Sequence, residues 1–547
     1  MFSDPAVGDN FFGRQSVVDL LVKRANALKS GYRQNVAIIG HQEIGKTSIL
    51  RQFLHLFRDP DILCIYVEIK FQALDYFIDR FVRSLLFQYL SRREPVDPAE
   101  PLAALSQRAT GLVPKTVQRI NDILALLKQR HAEEAYTKLF ELTSSIKQET
   151  GKNCIVIFDE FHRLGELGIK NAFTDFGKRI MVQKDTMYLL SSSSFSVSRK
   201  ILAEKLALLF GNFERIYLEP FDFDTSLEFI RNKVAPVQVS DPLKTFLIAF
   251  TDGHPFFLGV IAARLKELAL VQLGNELTRE TVAEVLLKLL YESQGILHQY
   301  FLKLISPWTR PNAHGCQLLL LTELAKGKNK LKELSVAANR NQKETGRQIR
   351  ELMEHELVIK TGVFYRFPNK IFKFWLREVY EKKELSLLTA GDGADDFVFK
   401  ISQLIGEHEE LTRDDLADRV LKLFGLFNNE MIEFGEKKRK LPHFTEFLTM
   451  GGTAAPSEGR GRSIIAKGYG RCWICKIVEE KATEKEVLDL VAGGSRVKEL
   501  SPTKVLVALR GLEESAKLLA KEKRVLTLGL SRINLLMDVY GKSPIVC

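Results

Sequence analysis

One stretch constrains this chain more than any other. Ile38-Ile39-Gly40-His41-Gln42-Glu43-Ile44-Gly45-Lys46-Thr47-Ser48 carries the pattern G-x-x-x-x-G-K-T. An apolar run, Val36 to Ile39, feeds its first glycine, and an amphipathic run, Ser48 to Phe57, follows. The order predicted is strand, loop, helix, the context this motif needs to cradle phosphates. Glycines let the backbone curl so that successive N–H groups point at phosphate oxygens. The helix adds its positive N-terminal end. Gly40 to Ser48 are the candidate phosphate-binding residues: Lys46 is placed to reach β- and γ-phosphates, and Thr47 to offer a hydroxyl to Mg²⁺. The plain alternative is a chance glycine-rich turn.

A phosphate loop of this kind needs an acidic partner strand. Cys154-Ile155-Val156-Ile157-Phe158-Asp159-Glu160 is a continuous apolar run, as a parallel strand buried on both faces should be, and it ends in two carboxylates. Asp159 is the candidate Mg²⁺ ligand and Glu160 the candidate general base for an attacking water. The alternative is an Asp-Glu pair that merely caps the next helix. A further short apolar strand, Thr186 to Leu190, delivers Ser191-Ser192-Ser193-Ser194 to the same sheet edge. A hydroxyl there is placed to report on a γ-phosphate; an N-cap serves equally well as an explanation.

With 547 residues the chain exceeds one hydrophobic core, and three or so domains are expected. Alternating strands and helices from Asn35 to Phe221 make a parallel α/β sheet the natural fold for residues 1–221. Residues 94–116, with several prolines, read as a surface insertion. Residues 222–310 read as a helical lid. They contain Thr251-Asp252-Gly253-His254-Pro255, whose His254 is either structural or a nucleotide contact. Residues 311–380 predict three helices and a hairpin, a winged helix-turn-helix. Its third helix and approach carry Asn341, Gln342, Lys343, Arg347, Gln348 and Arg350, residue types that meet a major groove or phosphates. The same architecture also serves protein contacts alone. Residues 381–460 read as a helical linker with a basic cluster, Lys437 to Lys440, and a Gly-, Ala- and Ser-rich hinge near 451–461. Residues 461–547 read as α/β again.

Lys and Arg number 79 against 68 Asp and Glu, a net charge of +11, which suits a polyanionic partner without requiring one. No apolar run is long enough to span a bilayer and Met1-Phe2-Ser3-Asp4 does not open a signal peptide, so a cytoplasmic protein with no membrane partner is expected. Cys64 and Cys154 fall in buried strands. Cys472 and Cys475 form a C-x-x-C without a second pair. On a strand they face opposite sides and read as separate packing residues.

Taken in order, Phe11-Phe12-Gly13-Arg14, the phosphate loop, Ile157-Phe158-Asp159-Glu160-Phe161, the serine run, Leu218-Glu219-Pro220-Phe221 and Asp252-Gly253-His254-Pro255 resemble the archaeal ATPase family. That family is a branch of the STAND and AAA+-related P-loop ATPases, kin to the origin-recognition ATPases. The resemblance covers residues 11 to about 270. It implies an ASCE/AAA+-like sheet, ATP and Mg²⁺ as cofactors, and hydrolysis by Lys46, Thr47, Asp159 and Glu160. It also implies Ser192 or Ser193 as sensor and His254 near the nucleotide. The aromatic-Gly-Arg turn before the phosphate-loop strand is itself a candidate to place Phe12 near an adenine and Arg14 near ribose or phosphate, though a turn that only starts a helix looks the same. The tail resembles a restriction-endonuclease-like domain with its acids missing: Ser463 stands where an Asp is expected, and Trp473-Ile474-Cys475-Lys476 lacks the Glu of Glu-x-Lys. Glu479 and Glu480 would serve only after a register shift. A catalytically dead tail is expected. Where family members carry an arginine after a Phe-Gly pair this chain has Phe210-Gly211-Asn212, with Arg215 as fallback. A second copy or a protein partner completing the site is the corresponding expectation.

The function expected is an ATP-hydrolysing molecular switch that couples nucleotide state to nucleic-acid binding, DNA over RNA, through the winged helix. The alternatives are a nucleotide-gated protein-assembly or ribosome-binding factor, and an ATP-regulated nuclease.

Overall fold

The computed structural model describes residues 4–70, 73–206, 213–271, 276–309, 316–384, 392–434, 437–450, 462–494 and 502–546. Phe210-Gly211-Asn212 and the 451–461 hinge lie outside them. The chain divides into two compact units, Met1–Phe221 and Asp222–Cys547.

In the first unit, helix α1 (Gln15–Lys29) precedes β1 (Asn35–Ile39), and α2 (Lys46–Leu56) follows it. β2 (Ile62–Glu68), β3 (Asn153–Asp159), β4 (Thr186–Ser192) and β5 (Phe213–Tyr217) complete a five-stranded sheet of order β2-β3-β4-β1-β5. Every pairing is parallel, so all five strands deliver their C-terminal ends to one edge. β4 lies between β1 and β3, and the serine run therefore lies between the phosphate loop and the two carboxylates. Alternation splits the apolar side chains into two layers. Val36, Ile38, Ile155 and Ile157 pack with α1 and α2, and Ala37, Ile39, Val156 and Phe158 pack on the opposite face. Cys64 and Cys154 are packing residues, their thiols pushed up to about 12 by burial.

The insertion expected over 94–116 is part of this second layer. Leu102–Thr110 is a helix, and its Leu105 and Ala109, with Val113 and Val117 after it, are buried in the core. The prolines punctuate the helices rather than break them: Pro101 precedes the first and Pro114 opens the next.

The second unit begins with helices, among them Phe223–Val234, Asp241–Thr251 and Pro255–Val271, and two short parallel strands, β6 (Gln238–Val239) and β7 (Glu276–Leu277). Helices Cys316–Ala325, Leu331–Ala337 and Gln342–Glu354 then lead into an antiparallel hairpin of β8 (Ile359–Thr361) and β9 (Phe364–Arg366).

Residues 381–460 differ from the helical linker expected. After helices Asp392–Arg413 and Leu416–Phe424, β10 (Met431–Phe434) and β11 (Lys437–Lys440) form an antiparallel hairpin. β12 (Glu446–Met450) then joins the C-terminal sheet as its edge. Ile432 and Phe434 alternate into that domain's core, a two-residue period too short to stand out among charged neighbours.

The C-terminal sheet has the order β12-β13-β14-β15-β16, with β13 (Arg462–Gly468), β14 (Arg471–Val478), β15 (Thr503–Ala508) and β16 (Leu526–Gly529). Its first two pairings are antiparallel and its last two parallel. Cys472 and Cys475 face opposite layers of this sheet, as strand geometry requires. β14 pairs in register with β15 through Val478, so Glu479 and Glu480 fall in the bend beyond it and no shift recruits them. Lys476 faces Ser463 across the strands and pairs with Asp489 at 2.9 Å. Among the described residues no group of three or more His, Cys, Asp or Glu side chains is placed to hold a metal. Among the described residues no helix is long and apolar enough to cross a membrane.

Candidate active site

β1 is buried along its whole length and ends at Gly40, where the chain has no room for a side chain. A Cβ there would meet Ile44 Cγ2 at 2.9 Å and the Leu218 backbone oxygen at 3.0 Å. Glu43 and Gly45 both take positive φ, 56° and 102°, which curls the loop back onto the start of α2. Gly45 adopts this conformation without strain, since it has no Cβ. Successive N–H groups of the loop and the first turn of α2 then form a concavity suited to an anion.

Lys46 opens α2 and is only 4% exposed. Its ammonium donates to the carbonyls of Gly40 at 3.0 Å and His41 at 2.7 Å. A buried cation is unfavourable unless hydrogen-bonded, and the loop's own carbonyls supply those bonds. The N-terminal segment is tied to the same helix: Ala6 N–H donates to Ser48 Oγ (3.1 Å) and Gly8 N–H to Gln52 Oε1 (2.8 Å).

The second half of the site hangs from the ends of β3 and β4. Asp159 is 1% exposed and its carboxylate accepts three hydroxyls: Thr47 Oγ1 at 2.7 Å, Tyr66 Oη at 2.9 Å, and Ser191 Oγ. Burial, and then the adjoining Asp159 carboxylate, push the Tyr66 phenol far above its ordinary value, so it remains a donor. Thr47 and Asp159 thus bring together a hydroxyl and a carboxylate from opposite sides of the loop. This donor set fits Mg²⁺, which binds through one or two carboxylates plus substrate phosphates and needs no protein cage. Bound there, the ion would neutralise charge on the β- and γ-phosphates.

Glu160 follows in the left-handed region (φ 60°, ψ 46°), unusual for a residue with a Cβ. Neighbours hold it there. Its N–H donates to Ser191 Oγ at 3.3 Å, and its Oε2 accepts both the N–H and the Oγ–H of Ser193 at 2.8 Å. His162 Nδ1 lies 3.3 Å from the same oxygen. Ser191 and Ser193 thus meet the two carboxylates, and the Ser192 hydroxyl lies against His162 Nδ1 (2.8 Å) and the Ser194 N–H (3.1 Å). Tyr66 and His162 escaped sequence reasoning. Neither sits in a recognisable pattern, and only the register of β2 on β3, Tyr66 opposite Ile157, brings the phenol to the Asp159 end.

Tyr66→Phe removes one of the three hydroxyls that orient Asp159. The Mg²⁺ concentration for half-maximal ATP turnover is expected to rise about tenfold, the lower end of what outer-shell partners contribute. A Mg²⁺ titration indistinguishable from the parent's would mean that Thr47 and Ser191 suffice.

Arg14 donates to the Glu219 carbonyl, and its guanidinium stands 5.0 Å from the Phe221 ring centre; Phe12 packs edge-on to the same ring at 6.1 Å. They fasten the N-terminal segment to the chain beyond β5. His254 belongs to the second unit, where its ring lies 4.7 Å from that of Phe257.

Residues 12–259 match the model of an ATPase domain predominantly from Archaea. Among solved structures the chain is similar to the Walker-type ATPase of Pyrococcus abyssi, with 15% identity over 69% of this chain and 99% of that one and a TM-score of 0.48. It is also similar to the ORC2 protein of Aeropyrum pernix in ADPNP–ADP complexes (14% identity, 74% of this chain and 97% of that one, TM-score 0.43). The ORC1 protein of Aeropyrum pernix in complex with DNA gives 12% identity, 71% and 97% coverage, and a TM-score of 0.39. No curated protein was found to match the chain. The match begins at the aromatic-Gly-Arg turn and runs through both halves of the site, and residues 12–259 are accordingly a P-loop ATPase domain similar to one found predominantly in Archaea.

Proposed function

We propose that this chain is an ATP-driven switch whose second unit binds duplex DNA. In the ATPase unit, Gly40 to Ser48 cradle the phosphates, Lys46 reaches the β- and γ-phosphates, Thr47 and Asp159 hold Mg²⁺, and Glu160 accepts a proton from the attacking water. Ser193 positions Glu160. In the second unit, the three helices and the β8–β9 hairpin act as a winged helix with Gln342–Glu354 as its reading helix, and the C-terminal sheet serves as a binding module rather than a nuclease.

The observation that carries the DNA reading is the surface of that helix. Lys343, Arg347 and Arg350 are exposed at i, i+4 and i+7, which puts three cations on one face. The opposite face holds Thr345, Ile349 and Leu352 in the core. Asn341 is committed to the N-cap, accepting from the Glu344 N–H at 2.8 Å, and is not a base contact.

Cations that neutralise phosphates release counterions, so duplex affinity should fall steeply with salt. For Lys343→Ala/Arg347→Ala/Arg350→Ala the slope of log K against log salt is expected to flatten by about 2–3, close to one for each phosphate no longer neutralised. An unchanged slope would remove the helix from the interface. Absence of salt-dependent DNA binding in the parent chain would turn the reading to a nucleotide-gated protein-assembly or ribosome-binding factor.

A further inference from the structure

The hairpin of the three-helix unit does not end in open solvent. The Val363 N–H donates to the Met431 carbonyl at 3.0 Å, which joins the β8–β9 turn to β10. The approach is so close that a Cβ on Gly362 would stand 2.0 Å from that carbonyl oxygen, and Gly362 takes φ +69°. Only glycine meets both demands. Around this point the two parts are clamped. Lys330 pairs with Glu430 at 3.1 Å, Tyr540 Oη donates to the same carboxylate at 2.9 Å, and Asn329 Nδ2 donates to the Val539 carbonyl at 2.6 Å. These contacts join the three-helix unit, its hairpin and the β10–β11 ribbon.

β11 is the outer strand of that ribbon. Met431 stands opposite Lys440 and Glu433 opposite Lys438, and Ile432 and Phe434 anchor β10 in the core. Lys438, Arg439 and Lys440 are all exposed. Lys438 also reaches Glu433 at 3.5 Å. The basic surface leads there stepwise from the reading helix. Exposed Lys360 of β8 lies over the Tyr365 ring of β9 at 5.7 Å. Next come the turn held by Met431 and, across the ribbon, Lys440.

We infer that β11 is a second phosphate-contacting surface, a basic extension of the hairpin that lengthens the footprint on duplex DNA. This rests on the DNA reading of the Gln342–Glu354 helix. The turn of the hairpin commits its Val363 N–H to the C-terminal domain, so the next cations along the duplex backbone are those of β11. Lys438 and Lys440, two apart on the face of β11 that stands opposite Glu433 and Met431, suit a regularly charged rod, which carries one phosphate charge per about 1.7 Å of helix axis.

The test uses the full chain and fluorescence anisotropy with duplexes of about 10 and about 30 base pairs, one helical turn and about three. Lys438→Ala/Lys440→Ala is expected to flatten the salt slope by about 2 on the long duplex. It should leave the short duplex and basal ATP turnover unchanged. The charge-keeping variant Lys438→Arg/Lys440→Arg should restore the long-duplex slope. If both duplexes respond to the Gln342–Glu354 helix substitutions and neither responds to those in β11, the inference is overturned, and the strand is an edge kept from aggregating by its charge. If the parent chain binds neither duplex, the DNA reading itself has failed.

Discussion

Glu160→Gln is expected to slow ATP hydrolysis about 10²–10⁴-fold, the range a positioned general base contributes, while ATP remains bound. The surroundings make the substitution a clean test. Glutamine keeps the carbonyl oxygen that accepts the Ser193 N–H and hydroxyl, both at 2.8 Å. The backbone N–H still donates to Ser191 Oγ, so the left-handed conformation keeps its support. Asp159, with its own three hydroxyl donors, is untouched. What disappears is the ability to take a proton, which corresponds to about 3–5 kcal/mol of barrier. Equilibrium binding of ATP with single-turnover hydrolysis separates the two effects. Turnover equal to the parent's would show that Glu160 is not the base and that another group orients the water.

The parts of this site that sequence reveals are those whose chemistry is local. The glycine spacing at Gly40 and Gly45, the ammonium at Lys46, and the apolar strand ending in Asp159-Glu160 each need only a few neighbouring residues to be recognised. The two-sided burial of β1 and β3 was equally legible, because parallel strands covered on both faces read as unbroken apolar runs. Tertiary relations were not legible in the same way. Which serine meets Glu160 depends on how β4 sits beside β3, and the run of four serines does not by itself choose among them. Tyr66 is one aromatic residue in an apolar strand until register places its hydroxyl on Asp159. The β10–β11 ribbon was hidden by its charge: four consecutive cations at 437–440 look like a solvated surface, and only Ile432 and Phe434 across from them hold the strand pair in place. In the 94–116 segment the prolines outweighed a short amphipathic pattern whose buried positions, Leu105 and Ala109, lie four apart.

Lys46→Ala should abolish useful ATP affinity without unfolding the chain. The ammonium bonds now to two carbonyls, Gly40 and His41, at the mouth of the loop. On phosphate it would exchange these for charge-assisted bonds, each worth about 1.5–3 kcal/mol. Losing two such bonds weakens binding about 10²–10⁴-fold, at one decade per about 1.4 kcal/mol. The fold should survive, because the substitution removes a buried charge together with its hydrogen bonds. Serine at position 48 and glutamine at position 52 keep tying the N-terminal segment to α2. Thermal unfolding with and without ATP reads both consequences at once. At a concentration 100 times its dissociation constant, ATP stabilises the parent by about 2.7 kcal/mol. A hundredfold weaker variant gains only about 0.4 kcal/mol from the same ATP. The variant should therefore melt where the nucleotide-free parent melts and barely respond to ATP. A variant that ATP stabilises as fully as the parent would show that the loop's backbone N–H groups, and not Lys46, carry the binding.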